Sequence, residues 1–197
     1  MFTKKIDREP QVRLHPSTLI NPHMAALICQ LVVITASKGV ARITITEEIL
    51  DRAEAMAMQE APPAAQPIIE ERFNAIRNVF EPIGLLDTGA GIWLGSGRLA
   101  FSGPGDIEAV EAALEYADDY IVTTDTRTLL HRLLAVLDIQ VVTPGQMLLA
   151  AHQQVPDLMV EAMEAHRTDL SFSPELYEQY LHSARLDHLI PLMQTAT

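Results

Sequence analysis

Asp106 and Asp125 are the two acids whose neighbours place them for chemistry. Asp106 opens a stretch in which Ile107, Val110, Ala113, Leu114 and Ala117 recur at helical spacing. Asp125 closes Tyr120–Thr124 (YIVTT), an apolar run of the buried-strand type. In a parallel sheet wrapped by helices, ligands sit outside the carboxyl ends of the strands, and Asp125 falls at such an end. Carboxylate oxygens suit hard divalent cations, although two alone hold Mg²⁺ poorly.

The elements around these acids follow from pattern. After Asp125, Thr126–Leu137 reads as a helix, Ile139–Val142 as a strand, and Pro144-Gly145 turns the chain into another helix. Helix, strand, helix and strand on short links specify an α/β parallel sheet wrapped by helices. Upstream, Gln11–Leu14 reads as a short strand. Asn21 caps a helix with Pro22 at its first position, and Met24, Leu27, Ile28, Leu31 and Val32 follow at helical spacing. Val40–Ile45 is β-branched enough for a strand, and Thr46 caps a helix that opens with Glu47 and Glu48, where negative charge suits the dipole.

Three prolines break the pattern across Glu60–Pro67, a loop within a domain. A helix over Ile68–Phe80 and a strand around Ile83–Leu86 follow. Ile92–Phe101 then reads as a β-hairpin or tight loop tipped by Gly95-Ser96-Gly97, with Trp93 packed. Beyond Pro156 come two further helices, the second capped by Ser173 with Pro174 at its first position and carrying a Tyr177, Tyr180, Leu181 stripe. The organisation expected is a tail over 1–10, an α/β domain over 11–150, and a helical extension over 151–197.

The 197 residues carry 48% apolar and 20% charged side chains, enough for a sizeable core without staples. Cys29, the one cysteine, cannot form an internal disulfide and reads as a buried structural thiol. No signal-peptide pattern follows the charged N-terminus, and no run approaches the roughly 20 apolar residues of a bilayer span. The expected location is cytoplasmic, with no membrane partner. A net charge of −12 repels nucleic-acid phosphates at long range, which argues against a non-specific DNA coater but not against a nuclease with a carboxylate cluster. Lys4, Lys5, Arg8 and Arg13 crowd the N-terminus and read mainly as a solvated tail.

Neither phosphate-binding glycine motif, GxGxxG or GxxxxGK[ST], occurs, and there is no G-x-S-x-G elbow. His131, His152, His166, His182 and His188 lack a zinc spacing and read as structural or surface residues. Asp118 and Asp119 read as solvated helix-end charges.

The stretch Asp106–Leu149 resembles the C-terminal half of PIN-domain proteins. Asp106 matches the aspartate that opens a D-x-x-x-A-x-x-A helix. Thr123-Thr124-Asp125 matches the strand ending in T-x-D, and Val141-Val142-Thr143-Pro144 matches the closing V-T-P strand. The resemblance implies a parallel sheet of four or five strands and three or four acids holding one or two Mg²⁺ or Mn²⁺ ions. It also implies water activated to cut a phosphodiester, usually in RNA. Asp106 and Asp125 would then be catalytic metal ligands, supported by Thr123 and Thr124.

The N-terminal half departs from that pattern. The family's first strand runs into D-T-N, where this chain has His15-Pro16-Ser17 after Val12-Arg13-Leu14. The family's second acid falls on Arg52, with Asp51 beside it. A shift of one residue turns a helical side chain by about 100°, so Asp51 substitutes only if the register slips. His15 reads as a ligand of a softer ion such as Mn²⁺ or Zn²⁺, or as the remnant of a dead site. Two readings follow from the resemblance, beside a third in which the chain is an unrelated doubly wound α/β protein with Asp125 at a strand end by chance. One is a PIN-like, metal-dependent endoribonuclease acting on RNA, toxin-like and paired with an antitoxin-like protein. The other is an inactive relative kept as a binding or assembly module. A homodimer is compatible with either.

Overall fold

Short strands set between proline- and asparagine-started helices define the chain. A computed structural model describes residues 9–38, 41–80, 85–86, 106–124, 134–135, 138–183 and 186–191. In chain order these residues form β1 (Gln11–Leu14), α1 (Pro16–Ile20), α2 (Pro22–Lys38), β2 (Arg42–Thr46), α3 (Glu47–Glu60), α4 (Gln66–Phe80) and β3 (Leu85–Leu86). Then follow α5 (Asp106–Glu115), β4 (Tyr120–Val122), β5 (Gln140–Val142), α6 (Pro144–Gln154), α7 (Pro156–Asp169) and α8 (Pro174–Ser183), with 3₁₀ turns at Pro63–Ala65 and Asp187–Leu189.

The five strands form a parallel sheet in the order β3-β2-β1-β4-β5. The α/β class, the parallel sheet and the extra C-terminal helices are therefore as the sequence predicts. The chain winds outward from β1 to β3, then returns to add β4 and β5 on the other side of β1. The order reverses between β1 and β4, and such a switch point opens a crevice beyond the strand ends.

The caps of α2 and α3 are the expected ones. Asn21 Oδ1 accepts from the backbone N–H groups of His23 (2.9 Å) and Met24 (3.2 Å). Thr46 Oγ1 accepts from Ile49 N–H at 3.3 Å. At α6, Thr143 Oγ1 accepts from Gln146 N–H while Gln146 Oε1 accepts from Thr143 N–H, a reciprocal capping box.

Strand residues alternate between the two sheet faces. Val12, Leu14, Ile43, Ile45, Tyr120 and Val122 enter the larger core with Leu27, Ile28 and Leu31 of α2. That core continues through Met147 and Leu148 of α6 into Met163 of α7 and Leu181 of α8. The boundary expected after residue 150 thus falls inside α6, and apolar packing runs across it. A smaller cluster of Val110, Ala113, Ile121, Leu134 and Ile139 forms beside α5. Among the described residues no helix is long and apolar enough to cross a membrane.

Arg13 faces away from Val12 and Leu14, in register with Thr44 and Ile121. It is fully buried, its Nε–H donates to Asp118 Oδ2 at 2.7 Å, and its guanidinium lies 5.0 Å from the centroid of the Tyr116 ring. Asp119 Oδ2 accepts from Gln11 N–H at 3.0 Å. Asp118 and Asp119 are thus buried anchors rather than the solvated charges expected. The reason is local: Ala117 adopts a left-handed conformation (φ 52°) that ends α5 and turns both acids inward toward the start of β4. Trp93, the Gly95-Ser96-Gly97 hairpin and all of the Thr126–Leu137 helix except Leu134 and Ala135 lie outside the described residues.

Candidate functional site

The carboxyl ends of β1 and β4 are tied together before any site chemistry is considered. His15 N–H donates to Val122 O, and Thr123 N–H donates to Val142 O, each at 2.9 Å. The Thr18 hydroxyl donates to Val122 O at 2.9 Å. Ser17 bridges the strand ends: its Oγ lies 3.1 Å from Thr123 Oγ1 and accepts from Thr124 N–H at 3.1 Å. Asp106 arrives from the first turn of α5, and its Oδ1 lies 3.3 Å from His15 Nε2. Both side chains are only 2% exposed.

The switch point therefore collects His15, Ser17, Asp106, Thr123 and Thr124. Of the residues expected at the site, it brings together Asp106, His15, Thr123 and Thr124. Asp51 is not among them. The inward stripe of α3 is Ile49, Leu50, Ala53 and Ala57, which leaves Asp51 on the opposite side of the helix. There it accepts from Arg77 Nη2 of α4 at 2.6 Å with its side chain 65% exposed. Arg77 also holds Glu47 and Glu54, at 2.7 and 2.9 Å. Arg52 is exposed. Asp125 lies outside the described residues.

The protonation of His15 follows from its neighbours. His15 is the N-cap of α1, and its Nδ1 accepts from Ser17 N–H at 3.1 Å, with Ser17 Oγ also 2.8 Å away. A backbone N–H can only donate, so Nδ1 must present its lone pair. The neutral ring then carries its proton on Nε2, which donates to Asp106 Oδ1. To ligate a metal through Nε2 the proton would have to move to Nδ1, where it would oppose Ser17 N–H.

With its proton on Nε2, His15 offers no lone pair to a divalent cation. Asp106 Oδ1 faces that N–H as a hydrogen-bond acceptor. Among the described residues no group of three or more His, Cys, Asp or Glu side chains is placed to hold a metal. Cys29 packs against the core, as expected of a structural thiol, and burial pushes its pKa up to about 12.

Sequence reasoning missed Ser17 as the hub of the strand-end network. The available signal was His15-Pro16-Ser17 itself, since proline at a first helical position marks the residue before it as an N-cap. Comparison with models of known families, with curated proteins and with solved structures finds no match.

Proposed function

We propose that this chain is a PIN-like fold kept as a binding or assembly module, without metal-dependent RNA cleavage. The observation that carries this reading is the donation of Ser17 N–H to His15 Nδ1, which fixes the Nε2 proton against Asp106. An acid that anchors a metal in an active relative is here replaced by a group that donates to the neighbouring acid. The strand-end residues then hold the β1–α1 turn against β4 instead of an ion.

A net charge of −12 favours a protein partner over RNA: a second copy of this chain or an antitoxin-like protein. The endoribonuclease reading keeps one supporting feature, the convergence of Asp106 and Thr123 at the switch point. A cleavage assay separates the two. Labelled single-stranded RNA incubated with the protein and millimolar Mg²⁺ or Mn²⁺ is expected to stay intact, with Asp106→Ala indistinguishable from the parent. Cleavage that Asp106→Ala abolishes would return the chain to the nucleases.

A further inference from the structure

α8 is fastened to the body of the protein through an aromatic cluster centred on one imidazole. His166 of α7 is 2% exposed, and its Nδ1 lies 2.9 Å from the Tyr177 hydroxyl of α8. Its ring meets those of Tyr177 and Tyr180 edge-on, with centroids 5.6 Å away in each case. Tyr180 packs edge-on against His23 of α2 at 4.7 Å and Phe172 at 5.7 Å, and stacks on Tyr177 at an interplanar angle of 12°. Both α2 and α7 thus reach α8 through rings that touch His166 or its immediate neighbours.

His166 Nε2 is buried without a hydrogen-bond partner, as is the Tyr180 hydroxyl. A neutral imidazole tolerates this at modest cost. A protonated one places a charged N–H donor where no acceptor meets it, and burying an unpaired charge is far more expensive than burying an unpaired neutral group.

The charged and titratable groups around the ring do not reverse that balance. From α2, His23 opposes a charge on His166. From α7, Asp169 favours the proton but already accepts from Gln30, and Glu164 is paired with Arg167. From α8 come Tyr177 and Tyr180, both pushed up by burial and hence neutral. The tyrosine rings, near perpendicular to the imidazole, offset only part of that cost. Desolvation dominates and holds His166 down to about 4.

We propose that His166 makes α8 an acid-released strap: protonation of this imidazole undocks α8 from α2 and α7 while the sheet stays folded. Release bares His23, His166 and the apolar surface beside them. The linkage has a definite sign. A group depressed in the docked state contributes docking stability that is fully present above its ordinary value near 6.5 and is lost as pH falls toward about 4. At pH 4.5 that difference weakens docking by up to about 75-fold.

Amide hydrogen exchange between about pH 7.5 and 4.5, corrected for the intrinsic rate, tests this. The expected result is that protection of the α8 amides falls by about tenfold or more while β1 and β4 keep theirs, and that His166→Gln abolishes the fall. The proposal is overturned if α8 keeps its protection, if helix and sheet lose it together, or if His166→Gln shows the same pH dependence. Should that variant not fold, NMR titration of the native His166 ring decides. Its midpoint must coincide with the loss of α8 protection, and separate midpoints overturn the proposal.

Discussion

Asp118→Ala is expected to destabilise the protein by about 3–5 kcal/mol, enough to lower the melting temperature by roughly 10 °C. Arg13 is a fully buried guanidinium. Neither of its terminal nitrogens has a hydrogen-bond partner, so the 2.7 Å bond from Nε to Asp118 carries the compensation among the described residues. Removing the carboxylate leaves an unpaired cation between the sheet and the end of α5. The Tyr116 ring, 5.0 Å away, offsets only part of that loss. Replacing both partners by apolar residues, as Arg13→Met with Asp118→Leu, should cost much less than Asp118→Ala alone, because no charge remains buried. Urea denaturation measures both. A loss below about 1 kcal/mol for Asp118→Ala would show that the pair is not the anchor described.

His15→Asp is expected to create a Mn²⁺ site at the switch point. Aspartate is among the best N-cap residues, so α1 keeps an acceptor for Ser17 N–H. The change removes the proton that now points at Asp106 and sets two carboxylates side by side at the switch point. Without metal the two like charges repel, so the variant should melt below the parent. With Mn²⁺ it should recover, and a site occupied at 100 times its dissociation constant adds about 2.7 kcal/mol. The affinity for Mn²⁺ should exceed that of the parent by at least about tenfold, and the parent's melting temperature should not respond to the ion. A variant whose melting is equally indifferent to Mn²⁺ would mean that His15 is not what keeps a cation out.

The parts of the fold that follow from local spacing were legible. Asn21-Pro22, Thr46 and Pro144-Gly145 announced the starts of α2, α3 and α6, and Asn21 and Thr46 supply the expected caps. Asp106 was found for the same reason, because the residues after it repeat at helical spacing. Contacts between residues distant in the chain were not legible. Asp118 meets an arginine 105 positions earlier, and an acid after a helix reads as solvated until that partner is known. A hint was present in Gln11–Leu14: a charged side chain alternating with Val12 and Leu14 in a central strand must find a counter-ion. Asp51 was a question of helical register, decided by which face of α3 is apolar. The tautomer of His15 depends on the direction of one backbone N–H, which residue types alone do not specify.

NMR of the ¹⁵N-labelled His15 ring shows whether the strand-end imidazole donates to Asp106 and is closed to metal. An unprotonated Nδ1 and a proton on Nε2 are expected at neutral pH, with ring signals that millimolar Mn²⁺ leaves sharp. A proton on Nδ1 alone would overturn the tautomer, and paramagnetic broadening of the His15 ring as Mn²⁺ is added would place a cation beside Asp106.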